Sequence, residues 1–376
     1  QLFKRFIFAL VLIKNLKKMK KNLQNALLLA MGLMTTVTFA QDWNVDSRTR
    51  IDMGGDYDKM ETAQRATVGA TWGGSDWGIH ASTVVNYDLG MGQEASMSVY
   101  EAYASTNLMG YASVTMGRQA LNYGSGIIIG SNEWNANRVT RDAFVFDLDL
   151  SMADVTVGYA SRMNGDSLTN GGTSYWMNAA KSDGDWSANL LYGSDVMTTD
   201  DVDGDALTYM GLDLSYAMMD GNLGLDVSYN TASQGTVDTD MMSIGATYNV
   251  NDDMSISASQ TSYGELGFQS AGGNAGVYGS DSWTSHGNIG HLGANQKDLA
   301  IGGTYAMGDF NLGVTMHTVT DESEGAVAEA YERSAMEVSL GYSMSENAGL
   351  SVNYATDNNG TDTDTKYTWL TLTVTP

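Results

Sequence analysis

The stretch Leu223-Gly224-Leu225-Asp226-Val227-Ser228-Tyr229 and its neighbour Met242-Ser243-Ile244-Gly245-Ala246-Thr247-Tyr248 decide the fold. In both, apolar side chains take every second position, and Gly, Asp, Ser or Thr fill the positions between. A period of two belongs to a β-strand, whose successive side chains point to opposite faces. The alternation recurs upstream, where Trp43, Val45, Ile51 and Met53 share one parity and Asp46, Arg48, Arg50 and Asp52 the other. It recurs downstream, where Met336, Val338, Leu340 and Tyr342 alternate with Glu337, Ser339 and Gly341. Eighteen such segments lie between residues 42 and 375, and helical periodicity is nearly absent after residue 40.

The connections alternate in length. Every second one is a tight polar turn, such as Met109-Gly110, Asp183-Gly184-Asp185, Asp220-Gly221 or Gly308-Asp309, while those between are longer, two of them spanning 120–140 and 263–296. A soluble sandwich or propeller would bury the apolar face in a dry core. The opposite parity is too polar for that, because unpaired buried polar groups cost several kcal/mol each. A membrane barrel turns the apolar face to lipid, keeps a polar interior and joins its strands by alternating short and long connections. Aromatic residues agree: Trp77, Trp186 and Phe310 follow short turns and Tyr216, Tyr248, Tyr305 and Tyr342 precede them, as in an interfacial girdle. The expected fold is an all-β, transmembrane, antiparallel up-and-down β-barrel of 18 strands, with 16 as the alternative count.

Charge divides along the chain. Residues 1–40 hold seven of the 19 basic residues and no acidic one, leaving 12 basic against 44 acidic, a net of −32. A body that acidic is repelled by nucleic acid. The absence of cysteine excludes disulfides and thiolate metal sites. Met19-Lys20-Lys21, the apolar run 26–31 and Thr38-Phe39-Ala40 have the order of a secretory signal. Residues 1–18 therefore read as an upstream extension, 19–40 as a signal peptide and 41–376 as a barrel in the bacterial outer membrane.

No H-E-x-x-H or G-x-S-x-G pattern is present, so no catalytic residues are assigned and the protein is not expected to be an enzyme. The candidate functional residues are pore-lining charges. Arg48, Arg50, Arg65, Arg141 and Arg162 lie on the polar parity, and Arg118 and Arg138 flank the long 120–140 connection. Acids expected in the lumen include Glu101, Asp147, Asp149, Asp213, Asp226 and Glu337. Arginines and acids on opposing walls would set a transverse field that selects charged solutes; pairing that merely stiffens the wall is the other reading. In the 200–205 loop, Asp201, Asp203 and Asp205 have the alternate spacing of hard oxygen ligands, a weak loop site for Ca2+, against a simply solvated loop. No other cofactor is implied.

The segment Met116-Gly117-Arg118-Gln119-Ala120-Leu121-Asn122-Tyr123-Gly124-Ser125-Gly126-Ile127-Ile128-Ile129-Gly130, followed by Asn132-Glu133-Trp134-Asn135 and Arg141-Asp142-Ala143, resembles the alginate-export outer-membrane family. There a G-R-Q-x-x-x-Y-G strand end leads into an I-G-x-x-x-W loop and then an Arg/Asp-Ala/Gly strand. The resemblance implies an 18-stranded barrel with an arginine-lined pore for an anionic polysaccharide, and carries over Arg118, Arg138 and Arg141 as pore-lining groups. The acidic balance of the body favours a general porin instead. The expected function is passive diffusion of small hydrophilic solutes or ions, with outer-membrane lipid as the other partner. The alternatives are a selective channel for an anionic, alginate-like oligosaccharide and a non-channel adhesin or structural barrel. If the longer connections face outward, protease sites placed in 195–204, 270–290 or 358–364 will be cut on intact cells and labels at Gly184 or Gly221 will stay protected; the reverse pattern would invert the topology.

Overall fold

The computed structural model describes residues 40–53, 60–90, 95–133, 138–163, 171–199, 202–269, 292–322, 332–358, 360 and 363–375. The readings of residues 1–18 and, apart from Ala40, of the signal segment lie outside them. The first strands are β1 (Ala40–Asp52), β2 (Glu61–Gly73), β3 (Trp77–Asp88), β4 (Ser96–Leu108), β5 (Ala112–Gln119), β6 (Arg141–Asp149) and β7 (Asp154–Met163). They are followed by β8 (Gly171–Asp183), β9 (Trp186–Thr199), β10 (Val202–Asp203), β11 (Leu207–Met218), β12 (Leu223–Gln234) and β13 (Val237–Asn251). The series ends with β14 (Met254–Tyr263), β15 (Gln296–Met307), β16 (Phe310–Asp321), β17 (Glu332–Ser345), β18 (Ala348–Asp357) and β19 (Thr365–Val374).

Consecutive strands pair antiparallel around the circuit, and β1 meets β19 from Ser47↔Val374 to Asp52↔Trp369, which closes the sheet. The two-residue β10 stands outside the wall: it folds back on Thr198 and Thr199, while β9 pairs directly with β11. The wall is thus a closed barrel of eighteen strands. Closure removes the open edge that lipid does not tolerate.

Burial is inverted relative to a soluble protein. Ile244 is 49 % exposed, Ile301 57 % and Met316 62 %, whereas Arg65, His317, Glu337 and Asn230 are buried. The apolar parity faces outward and the polar parity faces the lumen, as the alternation requires. At the short-turn end, Trp186 and Tyr216 are register partners, and the Phe310 and Tyr342 rings stack with centroids 4.6 Å apart. The turn Met109-Gly110 has φ of 53° and 77°, closed by Tyr111 N donating to Leu108 O at 3.0 Å. Positive φ at both central residues is the tight-hairpin geometry that matches strand twist.

One site residue departs from its expected placement. Arg118 shares its parity with Met116 and pairs in register with Asp142, which shares its parity with Phe144; both apolar residues are exposed. Arg118 therefore lies on the outer surface, not in the pore, held by Asp142 through Nε–Oδ1 and Nη2–Oδ2 bonds of 2.8 Å each. It sits at the end of β5 next to the long connection, where a fork-on-carboxylate pair satisfies both charges on the outward face.

The inversion can be tested with one substitution at two adjacent positions. Ile244→Arg places a charge on the lipid face and should cost about 2–4 kcal/mol near the midplane. Ser243→Arg places the same charge in the lumen and should refold into vesicles like the parent. Equal urea midpoints for the two would mean that the faces are exchanged.

Candidate functional site

The connection between β5 and β6 folds into the barrel. It begins at Ala120, whose N–H donates to Glu101 Oε1 at 2.9 Å. A tight reversal follows, with Tyr123 N donating to Ile129 O at 3.1 Å and Gly126 N to Tyr123 O at 2.9 Å. The apolar run behind it explains why a polar lumen accepts this loop. Ile128 and Ile129 are fully buried among Val145, Trp176, Leu191, Leu207, Tyr209 and Ala232, inward residues of β6, β8, β9, β11 and β12. Ile127 packs on a second cluster that includes Met241, Tyr263, Val319 and Ala335. Tyr123 accepts a hydrogen bond from Trp176 Nε1 at 3.0 Å, and burial pushes its phenol up to about 12, so it stays protonated.

The tip rests on β11. Ser125 N donates to Asp213 Oδ2 at 2.9 Å, and the other carboxylate oxygen, Oδ1, accepts from Ser228 Oγ at 2.5 Å. β11 is the tenth wall strand counted from β1, halfway round the circuit. Below the tip lies a cavity of about 660 Å³ lined by Ser125, Asp213, Asp226 and many small hydroxyl side chains.

The returning end of the loop sits on the opposite wall. Arg48 Nη1 and Arg65 Nη1 each donate to the Glu133 carbonyl at 2.9 Å. The Glu133 carboxylate takes Arg138 Nη1 at 3.2 Å on one oxygen and Tyr100 OH at 3.0 Å on the other. Arg138 also donates to Thr67 Oγ1 at 2.7 Å and lies over the Tyr100 ring, 3.5 Å from its centroid. Such stacking stabilises the cation without removing its charge. Asp46 is 4.0 Å from Arg65 and 3.9 Å from Arg138. Three arginines thus meet two carboxylates, and Arg50 stands next along β1 on the same parity. The loop crosses the lumen between a cationic wall at β1–β2 and an acidic wall at β11–β12.

A β-bulge builds part of this site. Ser82 pairs with Glu101 and Thr83 with Val99, leaving Tyr100 as the extra residue. Both Tyr100 and Glu101 then face inward, Tyr100 toward Arg138 and Glu101 toward Ala120 N and His80 Nε2, the latter at 3.5 Å. Bulges commonly re-aim side chains in this way.

The remaining sequence candidates are distributed. Arg141 lies 4.0 Å from Asp195 and 5.9 Å from the Trp176 ring, away from the other cluster. Asp147 accepts from Thr156 Oγ1 at 2.7 Å and lines, with Asp149, a separate cavity near the short turn. Asp226 accepts from Ser215 at 2.6 Å, and Glu337 is 3.8 Å from His317, which bonds Asp298 at 2.8 Å. The Arg162 side chain and Asp201 lie outside the described residues. Asp203 accepts from Thr198 Oγ1 at 2.7 Å, and among the described residues no group of three His, Cys, Asp or Glu is placed to hold a metal. Glu133, Asp46, Tyr100 and Thr67 are site residues that the sequence reading missed. Asp46 was legible as polar parity on β1; Glu133 and Tyr100 were not, one lying in a loop and the other in a parity break.

The sequence matches the Gram-negative porin family over residues 26–362. No curated protein sequence matches. Among solved structures, OpdK of Pseudomonas aeruginosa, crystallised with vanillate, superposes with a TM-score of 0.69 at 12 % identity, covering 90 % of this chain and 100 % of that one. OccK3 (OpdO) of the same organism gives 0.68 at 15 % identity over 89 % and 95 % of the two chains. OccK5 (OpdH) gives 0.68 at 12 % over 89 % and 97 %. These likenesses establish the shared barrel fold, and the family match extends over most of the chain. The chain belongs to the Gram-negative porin family, as a non-enzymatic outer-membrane channel through which small hydrophilic solutes diffuse.

Proposed function

We propose that the porin prefers small anions, and that the inward loop with Arg48, Arg65 and Arg138 is its selectivity filter. The observation that carries this reading is the convergence of those three guanidinium groups around Glu133 inside the lumen, halfway round the wall from Asp213. Charges at a narrow, low-dielectric constriction are screened far less than those on outer loops, where the Debye length is about 8–10 Å at ordinary salt. Ion preference then follows the lumen rather than the net charge of the body. The vanillate in the OpdK structure is a small carboxylate, in keeping with this solute class. An extended anionic polysaccharide, as the alginate-export resemblance implies, would meet the same arginines. It would also have to thread past a loop anchored on both walls, so the small solute is the better fit.

Reversal potentials in planar bilayers test the filter. Arg48→Gln with Arg138→Gln should shift the preference toward cations at low and high salt alike. Arg118→Ala, which changes only the outer surface, should leave it unchanged, and deletion of the 200–205 acids should act mainly at low salt. A double variant with the parent's reversal potential would remove the arginines from the filter.

Liposome swelling tests the size limit. A monomeric uronate should enter at a rate that depends on Arg48, and uronate oligomers should be excluded. Equal entry of monomer and oligomer would restore the polysaccharide reading.

A further inference from the structure

The far anchorage of the loop has a chemistry of its own, separate from the arginines. Asp213 belongs to β11 and faces the lumen. One of its oxygens takes the Ser125 amide and the other the Ser228 hydroxyl, so the carboxylate is oriented from the wall side and engaged from the loop side. Asn230 Nδ2 in turn donates to Ser228 Oγ at 2.9 Å, and Asn230 is 1 % exposed, which fixes the rotamer behind the carboxylate. Gly124 lies flat on this pair. Its φ is +54°, and a Cβ there would overlap the Asp213 carboxylate and come within 2.8 Å of Asn189 Oδ1. Only glycine meets both demands. The chain therefore presents a backbone N–H to a pre-oriented anion at closest approach, a charge-assisted hydrogen bond of the stronger kind.

We infer that Asp213 is a positioning residue that latches the tip of the constriction loop to the β11 wall, and that this latch sets the open-channel dimension and its steadiness. On the other side of the lumen the loop is held by several charged contacts to Glu133 and Arg138. At the tip, Asp213 supplies the oriented polar contact beneath the isoleucine run. Without it, the segment 124–126 has lost its polar hold on that wall and fluctuates between docked and lifted positions. The inference holds whether or not the arginines set ion preference, because it concerns the current's steadiness and size rather than its sign.

Single-channel recording of the purified full-length protein in planar bilayers tests it. Loss of a hydrogen bond to a charged group changes a docked-to-lifted ratio roughly 10- to 100-fold. Asp213→Ala should therefore convert a steady current into one that flickers between levels. Asp213→Asn keeps an acceptor oxygen for the Ser125 amide but removes the charge, and should flicker less than Asp213→Ala. Gly124→Ala attacks the same contact from the loop and should flicker like Asp213→Ala. Combining it with Asp213→Ala should add little, as expected for two changes in one interaction. If Asp213→Ala and Gly124→Ala both conduct as quietly as the parent, or if Asp213→Asn flickers as much as Asp213→Ala, the latch is refuted. A changed reversal potential with a steady current would refute it as well, since it would mean that Asp213 acts only as a charge.

Discussion

The backbone amide in hydrocarbon is the constraint on which everything else rests. Lipid supplies no hydrogen-bond partner, so each strand must find one on both sides, and the ladder from β1 to β19 must return to β1. Once the sheet is closed, every side chain is assigned to lipid or lumen by its parity. Apolar residues such as Ile301 and Met316 can then be exposed and polar ones such as Asn230 and Glu337 buried without contradiction. The barrel is an inside-out protein because its solvent is.

The polar lumen is not empty. The connection after β5, described over 120–133, enters it by carrying its own small dry core. Ile128 and Ile129 exchange water for the few apolar residues of the inner wall, and the tip and the returning end exchange it for charged hydrogen bonds. Buried charges are tolerable only when paired and hydrogen-bonded. Arg65 and Arg138, whose side chains are buried, meet that condition through Glu133, which is exposed to the lumen and offers its carbonyl to Arg48 and Arg65 and its carboxylate to Arg138 and Tyr100. The surplus cationic character stays on one wall, and Asp213 and Asp226 keep the other acidic.

The barrel was legible in the sequence because the period of two and the alternating turn lengths are repeated signals, each segment correcting errors in the others. Individual site residues lack that redundancy. Arg118 looked lumenal because it flanks the long loop with Arg138 and Arg141. Its own parity, shared with Met116, placed it outside, and the Asp142 that makes this acceptable is visible only once the register is known. Tyr100 was hidden for the opposite reason: strict alternation cannot put both it and Glu101 inside, and only the bulge opposite Ser82 and Thr83 does so. The family resemblance drawn from residues 116–143 spans the connection that folds inward, and the alginate-export family itself is not shown. The match that extends over residues 26–362 is to the Gram-negative porins.

The seam between β1 and β19 also bears on the order of assembly. Ser47 and Val374 lie at opposite ends of the described chain, so their pairing carries the greatest loop-closure cost in the sheet and is the natural last step. Before it forms, the sheet is an open trough. The strands that receive the loop tip, β9 and β11 to β13, and those that receive Glu133 and Arg138, β1, β2 and β4, are all earlier in the chain than β19. The loop can therefore dock while the trough is still open. Docked, it ties the β1–β4 side of the trough to the β11–β13 wall before the final strand closes the seam.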